Sequence, residues 1–232
     1  MIRTYNRYHL GDNLHQLNYL RRLGLPATHY CHQIYHEQLQ PLCEGTEIVL
    51  IDLPGKPKDA IDTWIGRDNA FQSRSDDTTW WSFYKMWFAK ISDDLSVANP
   101  ITEPEHCLYD YPALLREYPP YDYLIINSLP CSGQLPSYDH FWFVRKVQAL
   151  VKQGKSVITT IPTGECPATL EMGMSISDIG ALSRRVSHII AVDTGPMWTT
   201  YNVHNKDSVQ SRTVYSTTCA IDLLNTVTKS KL

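Results

Sequence analysis

The spacing of apolar residues along the first fifty positions alternates between strand-like and helix-like patterns. Residues 2–8 are rich in β-forming side chains and predict a first strand. Leucines then recur at helical spacing over 14–23, and Gly24 ends this helix. Two more strands are predicted at 28–31 and 47–52, with a helix-like run between them. Strands that alternate with helices predict a parallel sheet covered on both faces.

The second half of the chain repeats this alternation. A strongly aromatic helix at 80–89 and a proline-rich connection precede it. The pattern then predicts strands at 123–127, 156–161 and 188–192, and helices at 140–152, 177–184 and 219–227. We therefore predict two small α/β domains, residues 1–118 and 119–232, with a final helix that can pack back on the first domain.

Composition places the chain among globular proteins and excludes several classes. It has 232 residues, of which 43% are hydrophobic, and a formal net charge of −3. This charge disfavours a protein that coats nucleic acid or binds an anionic membrane surface. No apolar run reaches the length of a membrane helix, and the first residues lack the pattern of a signal peptide. The six cysteines form no Cys-x-x-Cys pair. We expect a cytoplasmic protein with reduced thiols and no integral membrane segment.

Polar, glycine-containing clusters follow the predicted strands, where ligands bind in open α/β sheets. They are Gly11-Asp12, Ser132-Gly133, Thr163-Gly164-Glu165 and Asp193-Thr194-Gly195. Short turns of this kind also join strands to helices without any ligand, so each cluster alone has a purely structural alternative. The chain lacks the Walker A, Gly-x-Gly-x-x-Gly, Gly-x-Ser-x-Gly and His-Glu-x-x-His motifs, which disfavours the ATPase, classical dehydrogenase, serine hydrolase and zincin classes.

Two segments resemble one known family. Residues 9–15 with the leucine-rich helix resemble the opening motif of the heptosyltransferase-like glycosyltransferases of family 9, which begin with a strand, Gly-Asp and a Leu-rich helix. Residues 174–182, the apolar strand that follows, and 193–197 resemble that family's C-terminal signature. The resemblance implies a GT-B-like α/β fold, in which two Rossmann-like domains with parallel sheets face a cleft.

The resemblance also implies a site and a reaction: inverting, metal-independent transfer of a sugar from a nucleotide-diphosphate donor to a carbohydrate acceptor, without a cofactor. Asp12 corresponds to the family's general base, whereas its alternative is a cap for the following helix. On the acceptor side we expect Asn13 and Trp64, although a packed loop tryptophan is the alternative for Trp64. The expected nucleotide-sugar contacts are Gly11, Ser132, Gly133, Thr163, Gly164, Glu165, Met174, Asp193, Thr194 and Gly195.

The chain departs from the family at two points, which keeps other functions open. Trp198 stands where the family has histidine, which removes a hydrogen-bonding or acid role, and no lysine lies near Gln134. A nucleotide-sugar epimerase or hydrolase on the same fold is one alternative. A degenerate, non-catalytic module that binds nucleotides or sugars is the other. Nucleotide sugars and glycans are the expected partners in the enzyme hypotheses, and nucleic acid is not.

Overall fold

The chain forms two compact units in a computed structural model that describes residues 1–53, 55–64, 79–131 and 135–232. Unit 1 is Met1–Pro112 and unit 2 is Ala113–Leu232. The division lies a few residues before the boundary that the sequence predicts. In the described part of the chain, no helix is both long enough and apolar enough to cross a bilayer.

Unit 1 contains a parallel sheet with the strand order β3-β2-β1-β4. Its strands are β1 (Ile2–Asn6), β2 (Ala27–Cys31), β3 (Ile48–Asp52) and β4 (Ile61–Asp62). Its helices are α1 (Leu10–Leu23), α2 (Gln33–Leu39) and α3 (Trp80–Leu95), with 3-10 turns at Gln40–Cys43 and Pro104–Cys107.

The sequence of α1 explains both its position and its end. Leu14, Leu17 and Leu20 recur on one face and are buried, which anchors the helix in unit 1. Gly24 ends the helix with a φ of 66°, a left-handed conformation that glycine adopts without a Cβ clash. Because α1 directly follows β1, its first turn lies at the carboxyl end of the parallel strands.

Unit 2 contains a parallel sheet with the strand order β6-β5-β7-β8-β9. Its strands are β5 (Tyr121–Ile126), β6 (Val157–Thr159), β7 (Val186–Val192), β8 (Ser211–Tyr215) and β9 (Thr226–Lys229). Its helices are α4 (His140–Lys152), α5 (Ile176–Leu182) and α6 (Gly195–Trp198), with a 3-10 turn at Ser183–Arg185; another, Pro112–Leu115, lies at the division.

The core of unit 2 lies between the sheet and α4. Phe143 and Val147 of α4 are fully buried against Ile125 of β5 and Val192 of β7. The Asp139 carboxylate accepts a hydrogen bond from the Phe141 N–H and caps the amino end of α4. This packing fixes the central strands whose carboxyl ends carry the candidate site.

The α/β prediction is confirmed, and one predicted helix is wrong. Residues 219–227 do not form a helix; they run through turns into β9. The reason is local chemistry, because Thr226, Val227 and Thr228 are β-branched and pair well on a pleated sheet. The aromatic helix extends further than predicted, to Leu95, and its Trp80 ring is buried in the core.

Candidate functional site

A row of buried polar residues follows four adjacent parallel strands of unit 2. Asn127 follows β5, Thr160 follows β6, Asp193 follows β7 and Ser216 follows β8. Carboxyl ends of parallel strands meet at one edge of a sheet, so these four residues lie along the same edge. We call this row the polar edge of unit 2.

Asn127 and Thr160 form one half of the polar edge and satisfy each other. The Thr160 hydroxyl donates to Asn127 Oδ1 at 3.0 Å, and the Ile161 N–H donates to the same oxygen at 2.8 Å. Asn127 Nδ2 donates in turn to the Ile161 carbonyl at 3.0 Å. The Asn127 amide therefore forms its hydrogen bonds inside unit 2, and these bonds fix the end of β5 against the segment after β6.

Asp193 is the charged member of the polar edge. Only 7% of it is exposed, and its Oδ2 accepts a hydrogen bond from the Ser216 hydroxyl at 2.9 Å. Burial raises the pKa of Asp193 to about 6, and the hydrogen bonds from Ser216 and Trp198 oppose that rise. A carboxyl group that titrates this close to neutral pH in a predicted ligand-binding segment is a functional candidate.

Trp198 keeps a hydrogen-bonding role that the sequence interpretation took to be lost. Its side chain hydrogen-bonds to Asp193, and because the indole has only an N–H to offer, the tryptophan is the donor. The helix α6 begins right after Asp193 and Thr194, which brings the buried indole back to the carboxylate. What the tryptophan cannot supply is the acid function of a histidine.

The loop that follows β6 carries the other expected nucleotide contacts. Gly164 adopts a left-handed φ of 83°, so the glycine permits this turn. Glu165 is exposed, and its Oε1 accepts a hydrogen bond from Gln148 Nε2 at 3.2 Å. Thr163 and Met174 are partly buried. These residues follow β6 in the chain, after Thr160 of the polar edge.

Thr194 and Gly195 begin α6, and two other expected contacts cannot be placed. Thr194 is the residue before the helix, and its hydroxyl donates to the Val192 carbonyl at 3.2 Å. Pro196 has no N–H and the Met197 N–H donates to the Thr194 carbonyl at 3.0 Å, so Thr194 and Gly195 are the residues whose N–H groups this end can offer to an anion. Ser132 and Gly133 lie outside the described residues.

Asp12 lies in the first turn of α1, which corrects one alternative. The helix begins at Leu10 with His9 as its N-cap residue, so the interpretation of Asp12 as the cap is wrong. A carboxylate in the first turn is still stabilised by the positive end of the helix dipole. Gly11 precedes Asp12 in the same turn, and both are partly buried.

Asn13 is fully buried and connects the start of α1 to the sheet. Its Nδ2 donates to the His9 carbonyl at 2.7 Å, and its Oδ1 lies 2.8 Å from His29 Nε2. His29 Nδ1 in turn lies 2.9 Å from the Thr4 hydroxyl. Burial lowers the pKa of His29 to about 3, so the ring is neutral, donates from Nε2 and accepts at Nδ1. This chain of bonds fixes the turn that carries Asp12.

Trp64 lies beside the start of α1. Its ring is 4.3 Å from the Tyr8 ring and 6.3 Å from the His9 ring, measured between centroids. Tyr8 is 49% exposed, and its carbonyl accepts a hydrogen bond from Tyr35. Unit 1 thus brings three of its predicted residues, Gly11, Asp12 and Asn13, into one helical turn and sets an aromatic pair next to it. Such rings can stack on the apolar face of a sugar.

Sequence reasoning missed five contributors to these sites. Asn127 and Thr160 were assigned to strands, and Ser216 follows a strand that the pattern did not predict. Tyr8 and His9 were treated as part of the first strand and its turn, without a role. A polar residue directly after each apolar run is the signal that could have found Asn127, because the edge of a parallel sheet collects such residues.

Comparison with known proteins places the fold. No protein-family model matches the chain, and no curated protein sequence matches it. Among solved structures it is similar to the heptosyltransferase WaaC of E. coli with ADP-2-deoxy-2-fluoro heptose, at 11% identity and a TM-score of 0.57, over 98% of this chain and 92% of that one. A family 9 glycosyl transferase from Veillonella parvula matches at 13% identity and a TM-score of 0.55, over 98% and 86%.

A third match is the dodecameric glycosyltransferase TibC from enterotoxigenic E. coli, at 16% identity and a TM-score of 0.52. The match covers 86% of this chain, which spans only 55% of the TibC chain. At such identities the similarity establishes the architecture alone. The resemblance that the sequence motifs indicated thus extends to the fold, which is α/β and GT-B-like.

TibC also corrects the expectation that no metal or cofactor is involved. Two of the matched structures describe TibC as iron-containing, so metal independence does not follow from this fold. Within residues 1–53, 55–64, 79–131 and 135–232, no group of three or more His, Cys, Asp or Glu side chains could hold a metal ion. The described residues therefore supply no ligand set to which iron can be assigned.

Proposed function

We propose that this chain is a glycosyltransferase that moves a sugar from a nucleoside diphosphate to a hydroxyl group of a carbohydrate acceptor, with inversion at the anomeric carbon. One observation carries the proposal. Asp12 and Asp193, from the two segments that resemble family 9, each follow a strand at the carboxyl edge of a parallel sheet, in a fold shared with glycosyltransferases. Ligands of open α/β sheets bind at such edges.

Asp12 is the proposed general base. Its carboxylate accepts the proton of the acceptor hydroxyl while the hydroxyl oxygen forms a bond to the anomeric carbon. The bond from that carbon to the diphosphate oxygen breaks, and the nucleoside diphosphate leaves with the electron pair. Attack opposite the leaving group inverts the configuration. The Asn13–His29–Thr4 chain supports this role because it holds the first turn of α1 in place.

The aromatic pair next to α1 is the proposed acceptor surface. Trp64 and the half-exposed Tyr8 can stack on a sugar ring, which orients one hydroxyl toward the first turn of α1. Asn13 was expected to contact the acceptor, but its amide forms hydrogen bonds with the His9 carbonyl and the His29 ring. We assign Asn13 to positioning Asp12.

The polar edge of unit 2 is the proposed donor site. Asp193, held by Ser216 and Trp198, fixes the segment that carries Thr194 and Gly195, whose N–H groups stabilise charge on the diphosphate. Thr163, Gly164, Glu165 and Met174 are the proposed contacts to the base and ribose. Ser132 and Gly133 keep their proposed role from the sequence alone. WaaC is described with ADP and TibC with an ADP-heptose, so adenosine diphosphate sugars come first among candidate donors.

A donor screen followed by a turnover assay tests the proposal. Purified protein is heated with a panel of nucleoside diphosphates and their sugars, and a ligand present at 100 times its dissociation constant should add about 2.7 kcal/mol of stability. Release of nucleoside diphosphate from the selected donor is then measured with and without glycan acceptors. For a glycosyltransferase, the release of nucleoside diphosphate should depend on the acceptor. The product should have the inverted anomeric configuration.

The assay separates the alternative functions. Donor breakdown or isomerisation without any acceptor would indicate a hydrolase or epimerase. Donor binding without turnover under any condition would indicate a non-catalytic module. Asp12→Asn serves as the control, because it keeps the size of the side chain and removes most of its basicity. Unchanged turnover in this variant would remove Asp12 from the mechanism.

A further inference from the structure

Gln16 carries a buried amide that has no hydrogen-bond partner in the described part of the chain. Only 2% of the residue is exposed, and neither Oε1 nor Nε2 has a partner among the described residues. Most buried side-chain amides in native proteins are hydrogen-bonded, because an unpaired polar group loses its bonds to water without replacement. An apolar side chain of similar length would fill this position at lower cost. The amide therefore requires an explanation other than packing.

Gln16 lies on the same face of α1 as the proposed base. Residues four apart in a helix lie on the same face, and Gln16 follows Asp12 by four positions. The Cα–Cβ bonds of a helix tilt toward its amino end, so the Gln16 side chain covers the turn that holds Asp12. Hydrogen bonds between Gln and Asp at this spacing are an established feature of helices.

On the basis of the function proposed above, we propose that Gln16 is a positioning residue for the acceptor reaction: in the acceptor-bound enzyme its Nε2 donates a hydrogen bond to the Asp12 carboxylate. The bond orients one carboxylate oxygen toward the acceptor hydroxyl and stabilises the charged form of the base. Gln16 touches the chemistry through Asp12 and is not itself the base.

The cost of the unpaired amide fits this role. Functional groups are often held in surroundings that destabilise the free protein, and replacing them raises stability while it lowers activity. A merely structural glutamine behaves in the opposite way, since it contributes to stability and its loss leaves the chemistry intact. Measurements of stability and of activity on the same variants therefore separate the two roles.

Gln16→Met is the test, because methionine matches the length of glutamine and has no amide. The variant is expected to unfold at the same or a higher temperature than the wild type. Its kcat/KM for the acceptor should fall about 5- to 20-fold at pH 7, while the KM for the donor stays unchanged. Since a lost hydrogen bond disfavours a charged carboxylate, the acid limb of the pH profile of kcat, which reports the substrate-bound enzyme, should move upward by about half to one pH unit.

Asn18→Leu is the matched control. Asn18 is a buried amide of the same helix, but its Nδ2 donates to the carbonyls of His106 and Cys107 at 3.3 and 3.2 Å. Its replacement should lower the unfolding temperature, because two carbonyls lose their donor, and leave the acid limb in place. Gln16→Glu is a second variant that does not depend on the methionine fitting. Its added negative charge should move the acid limb further upward than Gln16→Met does.

The outcomes distinguish this inference from the proposed function. An acid limb that stays in place in both Gln16 variants, in an enzyme that transfers sugar, overturns the role of Gln16 and leaves the transferase function standing. A wild-type protein without acceptor-dependent turnover overturns the proposed function, and the role of Gln16 with it. An upward shift in the Gln16 variants that Asn18→Leu does not show supports the assignment.

Discussion

At the scale of single residues, Asp193 has an electrostatic cost that can be measured. Its carboxyl is buried with two hydrogen-bond donors, from Ser216 and Trp198, and its pKa is raised to about 6. The folded protein therefore holds this proton more tightly than the unfolded chain does. Stability from this group is fully present below pH 4 and is lost as the pH rises through 6.

Asp193→Asn removes the charge and should stabilise the protein at pH 7.5 but not at pH 4. The rise in pKa from 3.8 to about 6 corresponds to roughly 3 kcal/mol, which sets the upper limit of the gain. Urea unfolding at both pH values measures it. Asp178→Asn is the matched control with the opposite sign. Burial raises the pKa of Asp178, but hydrogen bonds from Tyr118, Ser175 and Arg116 together outweigh it and lower the pKa to about 2, so this variant should lose stability at pH 7.5.

His29 gives unit 1 the opposite dependence on pH. Its pKa is lowered to about 3 by burial, so between pH 3 and 6.5 the unfolded chain binds a proton that the folded unit does not. Stability should fall as the pH drops below 6.5, by up to about 1.4 kcal/mol per pH unit for this one group. His29→Gln keeps a donor for Asn13 and an acceptor for Thr4, and it should reduce the slope by that amount. An unchanged slope would contradict a neutral, buried His29.

The sequence predicted some of these residues, and the physical reasons for the misses are clear. The motifs around Asp12 and Asp193 are local, so the sequence could indicate them. The partners of Asp193 depend on the fold: Ser216 lies 23 positions away in the chain, and Trp198 reaches the carboxylate only because a short helix turns its side chain back. Gln16 is buried and has no hydrogen-bond partner among the residues that the structure describes, which is a result of tertiary packing that apolar periodicity does not report.

At the scale of elements, Gly180 fixes how closely α5 approaches its neighbours. A Cβ at this position would lie 2.7 Å from Leu114 Cδ2 and 2.9 Å from the Thr199 carbonyl oxygen. Both distances are below normal contact, and the carbonyl belongs to the backbone and moves less easily than a side chain. The helix therefore packs at a distance that a glycine alone permits.

Gly180→Ala should destabilise unit 2 by roughly 1–3 kcal/mol, as overpacked cores do. Chemical denaturation of wild type, Gly180→Ala, Leu114→Ala and the double variant gives a mutant cycle. Removing the Leu114 side chain relieves one of the two clashes, so the double variant should be more stable than the sum of the single effects predicts. Strict additivity would mean that Leu114 does not limit the approach.

Elements with strong periodicity were predicted well, and short strands were not. The helix at His140–Lys152 has the predicted bounds, and β2 and β3 differ from theirs by one residue. By contrast, β4 has two residues and β8 has the pattern Ser-Arg-Thr-Val-Tyr, with a buried arginine. A strand with a buried charged side chain does not show the apolar run or the clean alternation on which the prediction depends.

At the scale of the whole molecule, two parallel sheets each place an aspartate of a glycosyltransferase-like motif at a carboxyl edge. The architecture was predictable because strands alternate with helices in both halves of the sequence. Whether a protein of this fold binds a metal was not predictable, since metal binding depends on a few side chains that no secondary-structure pattern reveals.

The most direct test of the account compares wild type and Asp12→Asn in acceptor-dependent release of nucleoside diphosphate, using a donor that both proteins bind equally in a thermal-shift assay. Loss of the general base typically costs 10²- to 10⁴-fold, so we predict a fall of about that size in kcat across pH 5 to 9, with donor affinity unchanged. Wild-type rates in Asp12→Asn over that pH range would contradict the account.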